Sequence, residues 1–255
     1  AIGSHGQTIR HEPDDSQPYS LQIVSPDIIA SRTGVDVVAD FRRAEIEAVG
    51  QGAPLASAFH REVLVHPGED RVVLNLGGIA NITTLPADTS TAVSGFDTGP
   101  ASTLMDYWVQ QHLETSMDAG GEWAACGQID RTLLTKMLAD SYFRSIPPKS
   151  TGREYFNADW LNMFIAGLDT PAQWIQTTLC ELTARSVADA VHTFAEDTRR
   201  VIVCGGGARN DHLMTRLQAN LPGIAIDSAD AHGISPDWVE AAAFAWLAQR
   251  RLEEK

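Results

Sequence analysis

The stretch Arg71–Ala101, RVVLNLGGIANITTLPADTSTAVSGFDTGPA, constrains the fold more than any other part of the chain. It opens with an apolar, β-branched run, Val72–Leu76, of the length of a buried strand. Gly77-Gly78 follows, and a second apolar run extends from Ile79 to Leu85. Two such runs separated by a glycine pair predict a tight hairpin, with glycine supplying the positive φ that short turns require. A third run, Thr91–Phe96, ends on Asp97-Thr98-Gly99-Pro100, after which a helical pattern begins. An acid is therefore expected at a strand end, beside a hairpin tip with little side-chain bulk.

Three readings of this stretch are open. An ordinary meander uses glycine wherever a turn needs it. A dinucleotide or Walker-type loop fits poorly: neither G-x-G-x-x-G nor G-x-x-x-x-G-K-[ST] occurs, and Gly77-Gly78 leads into a strand, not a helix. A strand–turn–strand clamp, whose bare backbone N–H groups approach phosphate oxygens, is the third, and it calls for a second site. Val201–Cys204 reads as a buried strand, followed by Gly205-Gly206-Gly207-Ala208-Arg209-Asn210 and a helix from Asp211 to Asn220. One glycine suffices to turn a chain. Three after a core strand, leading into a helix N-terminus, make a place where a flat polar ligand lies against backbone and where anions are favoured.

Composition narrows the field. With 255 residues, 44% of them hydrophobic, the chain can bury a large core in one or two domains. A formal charge of −14 argues against sequence-independent binding to nucleic acid or to an anionic membrane. A local basic pocket for nucleotide phosphates stays compatible with it. Cys126, Cys180 and Cys204 are widely spaced, which suits a reducing cytoplasm. No apolar run approaches the ~18 residues of a membrane span, and no secretory leader is evident. Metal and nucleophile signatures are absent: no H-E-x-x-H, no Cys cluster, no G-x-S-x-G, and nothing between His60 and His66 that suggests a ligand set. The chain starts at Ala1 without methionine and stops within a helical pattern at Lys255, so a fragment of a longer protein is expected.

The remaining segments give a coarse order. Gly3–Thr8 is a small-residue loop carrying His5 and Gln7, Asp14–Pro18 a turn, and Tyr19–Val24 a strand. Ser25-Pro26 starts a helix that Gly34 stops. Val35–Ala39 is a buried strand ending at Asp40-Phe41-Arg42-Arg43, which serves as a hinge, an ion-paired surface or a substrate contact. Gly50–Pro54 breaks the chain, placing a domain boundary near 42–52, and Leu55–Val65 is helical. Helices are also expected after Pro100, with Leu104, Met105, Trp108 and Leu113 on one side, and from Ile129 to Ala139. Ile146–Glu154 is an irregular loop in which Lys149 and Arg153 either meet an anionic ligand or lie in solvent. Pro171–Ala195 is the longest helix, with Ile175, Leu179, Leu182, Val187, Val191 and Phe194 stepping at helical spacing. A strand, Gly223–Ile226, precedes a last helix starting near Ile234-Ser235-Pro236, with Glu240 where the helix dipole alone favours a carboxylate.

Taken together, SHGQT (Ser4–Thr8), VVADFRR (Val37–Arg43), VGQGAPL (Val49–Leu55), LNLGGIANIT (Leu74–Thr83), GFDTGPAS (Gly95–Ser102), PKSTGREYF (Pro148–Phe156), CGGGARN (Cys204–Asn210) and EAAAFAWLA (Glu240–Ala248) resemble the anhydro-N-acetylmuramic acid kinase family. They run from one end of the chain to the other in the family's order. The resemblance implies an α/β, actin-like ATPase (ribonuclease H-like) fold of two domains, with mixed sheets flanked by helices. Residues 1–45 would be the remnant of an incomplete first domain, and 46–255 the second, carrying the ATP and sugar sites.

The implied activity is that of a carbohydrate kinase of peptidoglycan recycling. It opens the internal 1,6-anhydro bond with water and phosphorylates the freed O6 from ATP, giving N-acetylmuramic acid 6-phosphate. The resemblance makes Asp97 the catalytic base and gives the sugar to Glu240, with His5, Gln7, Arg42 and Arg153 as further contacts. ATP falls to Asn75, Gly77, Gly78 and Asn81 on one side and to Gly205, Gly206, Gly207 and Asn210 on the other. It implies ATP and Mg²⁺ as cofactors, no protein-bound metal, no nucleic-acid or membrane partner, a homodimer and a cytoplasmic location. A related amino-sugar kinase and a non-catalytic ATP-binding module are the alternatives. Two departures stand out. The family's opening G-T-S-x-D-G-x-D phosphate loop and its usual C-terminal end are missing, so this chain alone is expected to be inactive. Ala101-Ser102 also stands where the family has Gly-Asn.

Overall fold

The structure is a computed structural model that describes residues 1–12, 15–47 and 55–253. Asp14, the Gly50–Pro54 break and most of the Val49–Leu55 motif lie outside the described residues. The chain opens with β1 (Ile2–Gly3), a ribbon of β2 (Gln7–Glu12) and β3 (Tyr19–Ile23), α1 (Pro26–Thr33), β4 (Val37–Val38) and α2 (Arg43–Glu47). β1 pairs parallel with β4, and β2 antiparallel with β3. Proline begins α1, and Gly34 ends it at φ 67 with its N–H donated to the Ala30 carbonyl. The expected strand Val35–Ala39 shrinks to β4 because Asp40 turns the chain at φ 59. β2 takes over part of what the sequence marked as a loop.

After α3 (Ser57–Leu64) come β5 (Arg71–Leu76), β6 (Ile79–Leu85) and β7 (Ser94–Pro100). A helical layer follows: α4 (Ser102–Leu113), α5 (Glu122–Ala125), α6 (Arg131–Leu138), α7 (Ser141–Arg144), α8 (Ala158–Ile165) and α9 (Ala172–Phe194). β8 (Arg200–Cys204), α10 (Asp211–Asn220), β9 (Ala225–Ser228) and α11 (Val239–Glu253) complete the described chain. The main sheet has five strands in the order β7-β6-β5-β8-β9. β6 runs antiparallel to both neighbours, whereas β5, β8 and β9 are parallel.

Strand alternation gives this sheet two different faces. Leu74, Ile82, Phe96 and Val203 point to the side covered by α4 and α9, where Leu104, Leu179, Leu182 and Val187 are fully buried. Val73, Leu85 and Ile202 point the other way, against Phe59 and Leu64 of α3 and Val239 and Ala243 of α11. Each such side chain contributes about 1.5–3 kcal/mol on full burial, so both layers are held chiefly by apolar contact. On the α3–α11 side the apolar pattern stops near the ends of the strands. The register Cys204↔Asn75↔Asn81↔Asp97 places these residues in one row across four strands, with the three polar ones on β5, β6 and β7.

Several sequence expectations need correction. The β5–β6 hairpin forms, but neither Gly77 nor Gly78 has a positive φ. Gly78 is needed for room instead: a Cβ there would come 2.7 Å from Thr103 Oγ1 and 3.3 Å from the Arg153 guanidinium. The tip caps α4, because Gly77 O accepts from Ser102 N–H (3.0 Å) and Gly78 O from the N–H groups of Ala101 and Thr103 (2.9 and 3.1 Å). β7 begins and ends later than expected, since Gly99 and Pro100 still pair with Ala80 and Ile79, so Asp97 sits inside a strand. Leu113 and Phe194 are the last residues of their helices, where the covered face runs out, and both are exposed. The final helix starts at Val239 because Ser235–Trp238 forms a turn first, closed by Trp238 N–H on Ser235 O. The short helices α2, α5, α7 and α8 were not anticipated.

Gly205 combines a positive φ of 81 with a Cβ position 2.5 Å from Asn75 Oδ1 and 2.8 Å from Leu76 O, whereas Gly206 faces open space. Left-handed backbone costs a non-glycine residue roughly 1–3 kcal/mol before any clash, and 1 kcal/mol is worth about 2–4 °C at this size. Gly205→Ala is therefore expected to lower Tm by roughly 2–12 °C and Gly206→Ala by less than about 2 °C, as read by thermal denaturation.

Candidate active site

The row Asp97, Asn81, Asn75 and Cys204 forms the floor of a cleft of about 910 Å³. One wall is residues 3–10 with Arg42, a second is residues 151–154, and a third is the start of α11 with Pro236 and Glu240. Because β5 and β8 are parallel, the turns at Gly77-Gly78 and Gly205-Gly206 leave the sheet at the same edge, and all four glycines line this cleft. The Gly205 turn is fastened from above by its N–H, which donates to Pro236 O (3.2 Å).

Asp97 lies on the edge strand of the main sheet, and residues 142–151 cover that edge. Its backbone N–H donates to Lys149 O (3.2 Å), and its carbonyl accepts from the Tyr142 hydroxyl (2.8 Å). Its Oδ2 accepts the Thr151 N–H (2.9 Å), while Oδ1 has no hydrogen bond among the described residues. Lys149 locks this cover in place: its ammonium donates to Tyr142 O (3.1 Å) and stands 4.7 Å from the Tyr142 ring centroid. Burial pushes the Asp97 carboxyl up to about 7; the Thr151 N–H, Arg42 and Lys149 pull it down, and Glu154 pushes it up. A half-free carboxylate titrating near neutrality is matched to proton abstraction.

His5 and Arg42 form one unit. Arg42 Nε donates to His5 Nε2 (2.9 Å), His5 Nδ1 lies 3.1 Å from Gly6 O, and the imidazole stacks on Phe244 at 4.4 Å. Burial, then the Arg42 charge, hold the ring down at about 4, so it is neutral at pH 7. Nε2 accepts, which assigns the proton to Nδ1. Both ring nitrogens are therefore occupied, and His5 steadies the Arg42 guanidinium. Gln7 lines the same wall.

Arg153 also lines the cleft, over Gly78. The charges acting on Asp97 are those of Arg42, Glu154 and Lys149, whereas Arg153 acts on Asp106 of α4. Glu240 is exposed at the start of α11 and close enough to Cys204 that its charge, after burial, helps push that thiol up to about 12. Gly207 and Asn210 are not among the lining residues. Gly207 packs on Leu76, and Asn210 Oδ1 caps α10 by accepting the Leu213 N–H (2.9 Å). Ala101 and Ser102 are likewise absent from the lining; their N–H groups serve the hairpin tip.

His60 is a lining residue that the sequence did not reveal. It is buried on α3, its Nδ1 3.0 Å from Thr83 Oγ1, and burial holds it at about 4. The available signal was a polar side chain on the apolar face of α3, between Phe59 and Leu64. Among the described residues no group of three His, Cys, Asp or Glu is arranged to hold a metal ion, and no helix is long and apolar enough to cross a membrane.

The family model described as anhydro-N-acetylmuramic acid kinase matches residues 1–255. The chain belongs to that family. A relative of that name from Coxiella burnetii (strain RSA 493 / Nine Mile phase I) is 50% identical over 255 residues, covering 100% of this chain and 68% of its own length. Another, from Xanthomonas axonopodis pv. citri (strain 306), is 52% identical over 252 residues, 99% of this chain and 67% of the relative. The chain thus spans about two thirds of the length of these kinases. A solved structure of the activator of the 2-hydroxyisocaproyl-CoA dehydratase from Clostridium difficile with bound ADPNP matches with a TM-score of 0.50 at 15% identity, over 90% of this chain and 82% of that one. At that identity the likeness concerns the fold alone. The fold is of the actin-like ATPase type, α/β with mixed sheets flanked by helices.

The Asp97 carboxyl rises from an ordinary value of 3.8 to about 7 on folding. Its contribution to stability is thus fully present below about pH 4 and lost as pH rises through 7. Asp97→Asn is expected to melt at a higher temperature than the parent protein at pH 8, the difference vanishing toward pH 4. Parallel melting curves that never converge would show the carboxylate to be ordinary.

Proposed function

We propose that in the full-length protein this cleft serves the reaction of an anhydro-N-acetylmuramic acid kinase, with ATP and the anhydro-sugar lying side by side. The observation that carries it is the shared cleft: one half-free buried carboxylate opening into the same cavity as two glycine turns and Glu240. Asp97 Oδ1 takes a proton from a water as its oxygen bonds to C1 of the sugar, and the C1–O6 bond breaks. O6 then bonds to the γ-phosphorus of ATP while the bond to the β–γ bridging oxygen breaks and ADP leaves. Phosphoryl transfer asks mainly for positioning and charge neutralisation.

The residues present fit the nucleotide. Gly77 has nothing closer than 3.6 Å to its would-be Cβ and Gly206 nothing within 4 Å, so neither position is crowded and both line the cleft. With Asn75, Asn81 and Gly205 they form the nucleotide side. The sugar side is Glu240, Gln7 and Arg42 held by His5. Arg153 stands at their junction. The nucleotide's phosphates would hold Mg²⁺, which would neutralise their charge. Residues 1–45, with their separate small sheets, are the part contributed by the first domain, and 46–255 form the second. Three unpaired cysteines suit a cytoplasmic enzyme, and the family resemblance implies a homodimer. Neither a kinase for another amino sugar nor a non-catalytic ATP-binding module is favoured over this reading.

The full-length protein, given ATP, Mg²⁺ and the anhydro-sugar in ¹⁸O water, is expected to place label at C1 and phosphate on O6. Asp97→Asn is expected to lose at least ~10²-fold in kcat, the lower end of what a general base supplies, while still binding ATP in calorimetry. Near-normal turnover in that variant removes Asp97 from the mechanism.

A further inference from the structure

Arg10, Arg42 and Arg153 line the cleft, and Arg10 is hydrogen-bonded to Tyr19. Arg42 is committed to His5 and acts on Asp97. Arg153 stands over the hairpin tip, where a Cβ on Gly78 would lie 3.3 Å from both its Nε and its Nη2. It is exposed to the cleft and has no hydrogen bond or ion pair among the described residues. The Thr103 hydroxyl also flanks Gly78, 2.7 Å from the same Cβ position, buried and without a hydrogen-bond partner among the described residues. The tip is therefore flanked by a guanidinium that makes no hydrogen bond among the described residues, with only the charge of Asp106 acting near it, and by an unsatisfied hydroxyl. Such a constellation suits a group with several acceptor oxygens and negative charge; a neutral sugar hydroxyl would use little of it.

We propose that Arg153 holds the phosphoryl group in flight, and that its ligand is the terminal phosphate of the nucleotide, not the sugar. This rests on Gly77-Gly78 being the phosphate clamp of the proposed kinase. In phosphoryl transfer, charge spreads over the equatorial oxygens of the moving group, and a planar guanidinium donates to two of them at once. Arginines that stabilise the moving phosphoryl group in GTP-hydrolysing proteins are worth roughly 10³–10⁵ in kcat. An exposed one such as Arg153 acts at the lower end of that range or below it, because water screens it.

The test uses the full-length protein and its Arg153→Met and Arg153→Lys variants, with calorimetric titration of ADP, of the non-hydrolysable β,γ-imido analogue of ATP, and of the anhydro-sugar. Arg153→Met is expected to bind the imido analogue at least ~10-fold more weakly while ADP and sugar affinities stay unchanged. Its kcat should fall roughly 10²–10³-fold, with partial recovery in Arg153→Lys. Weakened sugar binding with unchanged nucleotide binding overturns the proposal, as does an equal loss for ADP and the imido analogue, or no change at all. A parent protein that binds neither nucleotide defeats the kinase reading itself, a result distinguishable from any confined to Arg153.

Discussion

The parallel pairing of β5 with β8 is the constraint on which the rest depends. Those strands enter the sheet more than a hundred residues apart, and between them the chain builds the helical layer that covers one face. Parallel strands leave a sheet at the same edge, so two glycine turns far apart in sequence meet there. Gly205 shows how closely: Asn75 Oδ1 and Leu76 O occupy the space any side chain at that position would need. Antiparallel β6 and β7 then carry Asn81 and Asp97 back to the same edge. The open ends of parallel strands are where α/β proteins commonly bind ligands, and here the polar row marks that place.

Asp97 shows how a site is made from an edge strand. An uncovered edge would offer water both the backbone and the carboxylate. Residues 142–151 remove water from both, satisfying the backbone with Lys149 O and Tyr142 Oη and giving one N–H to the carboxylate. The remaining oxygen keeps its proton affinity because only part of the desolvation is compensated. Arg42 limits the effect, and His5 holds Arg42 in reach. The environment of the carboxylate thus depends on residues from the chain's start, its middle loop and the sheet.

Much of this was legible in the sequence because local patterns agreed with the global fold. The β5–β6 hairpin, α9 and α10 follow from periodicity and punctuation alone. What escaped has particular causes. His60 carries no motif, and its place at the cleft depends on the packing of α3 against β6. His5 was visible as a candidate, but its bond to Arg42 joins two segments that no local pattern relates. CGGGARN looks like one motif yet divides by task, since Gly205 and Gly206 face the cleft while Gly207 and Asn210 serve packing and capping. Gly78 was recognised as special for the wrong reason: it provides clearance, not a left-handed backbone.

The carbonyls of the hairpin tip are tied to the first turn of α4, which is packed against α9. Pressure from a bound molecule on Gly77-Gly78 is therefore transmitted straight into the rigid interior, and yielding there would uncap a helix. That lip of the cleft is an anvil.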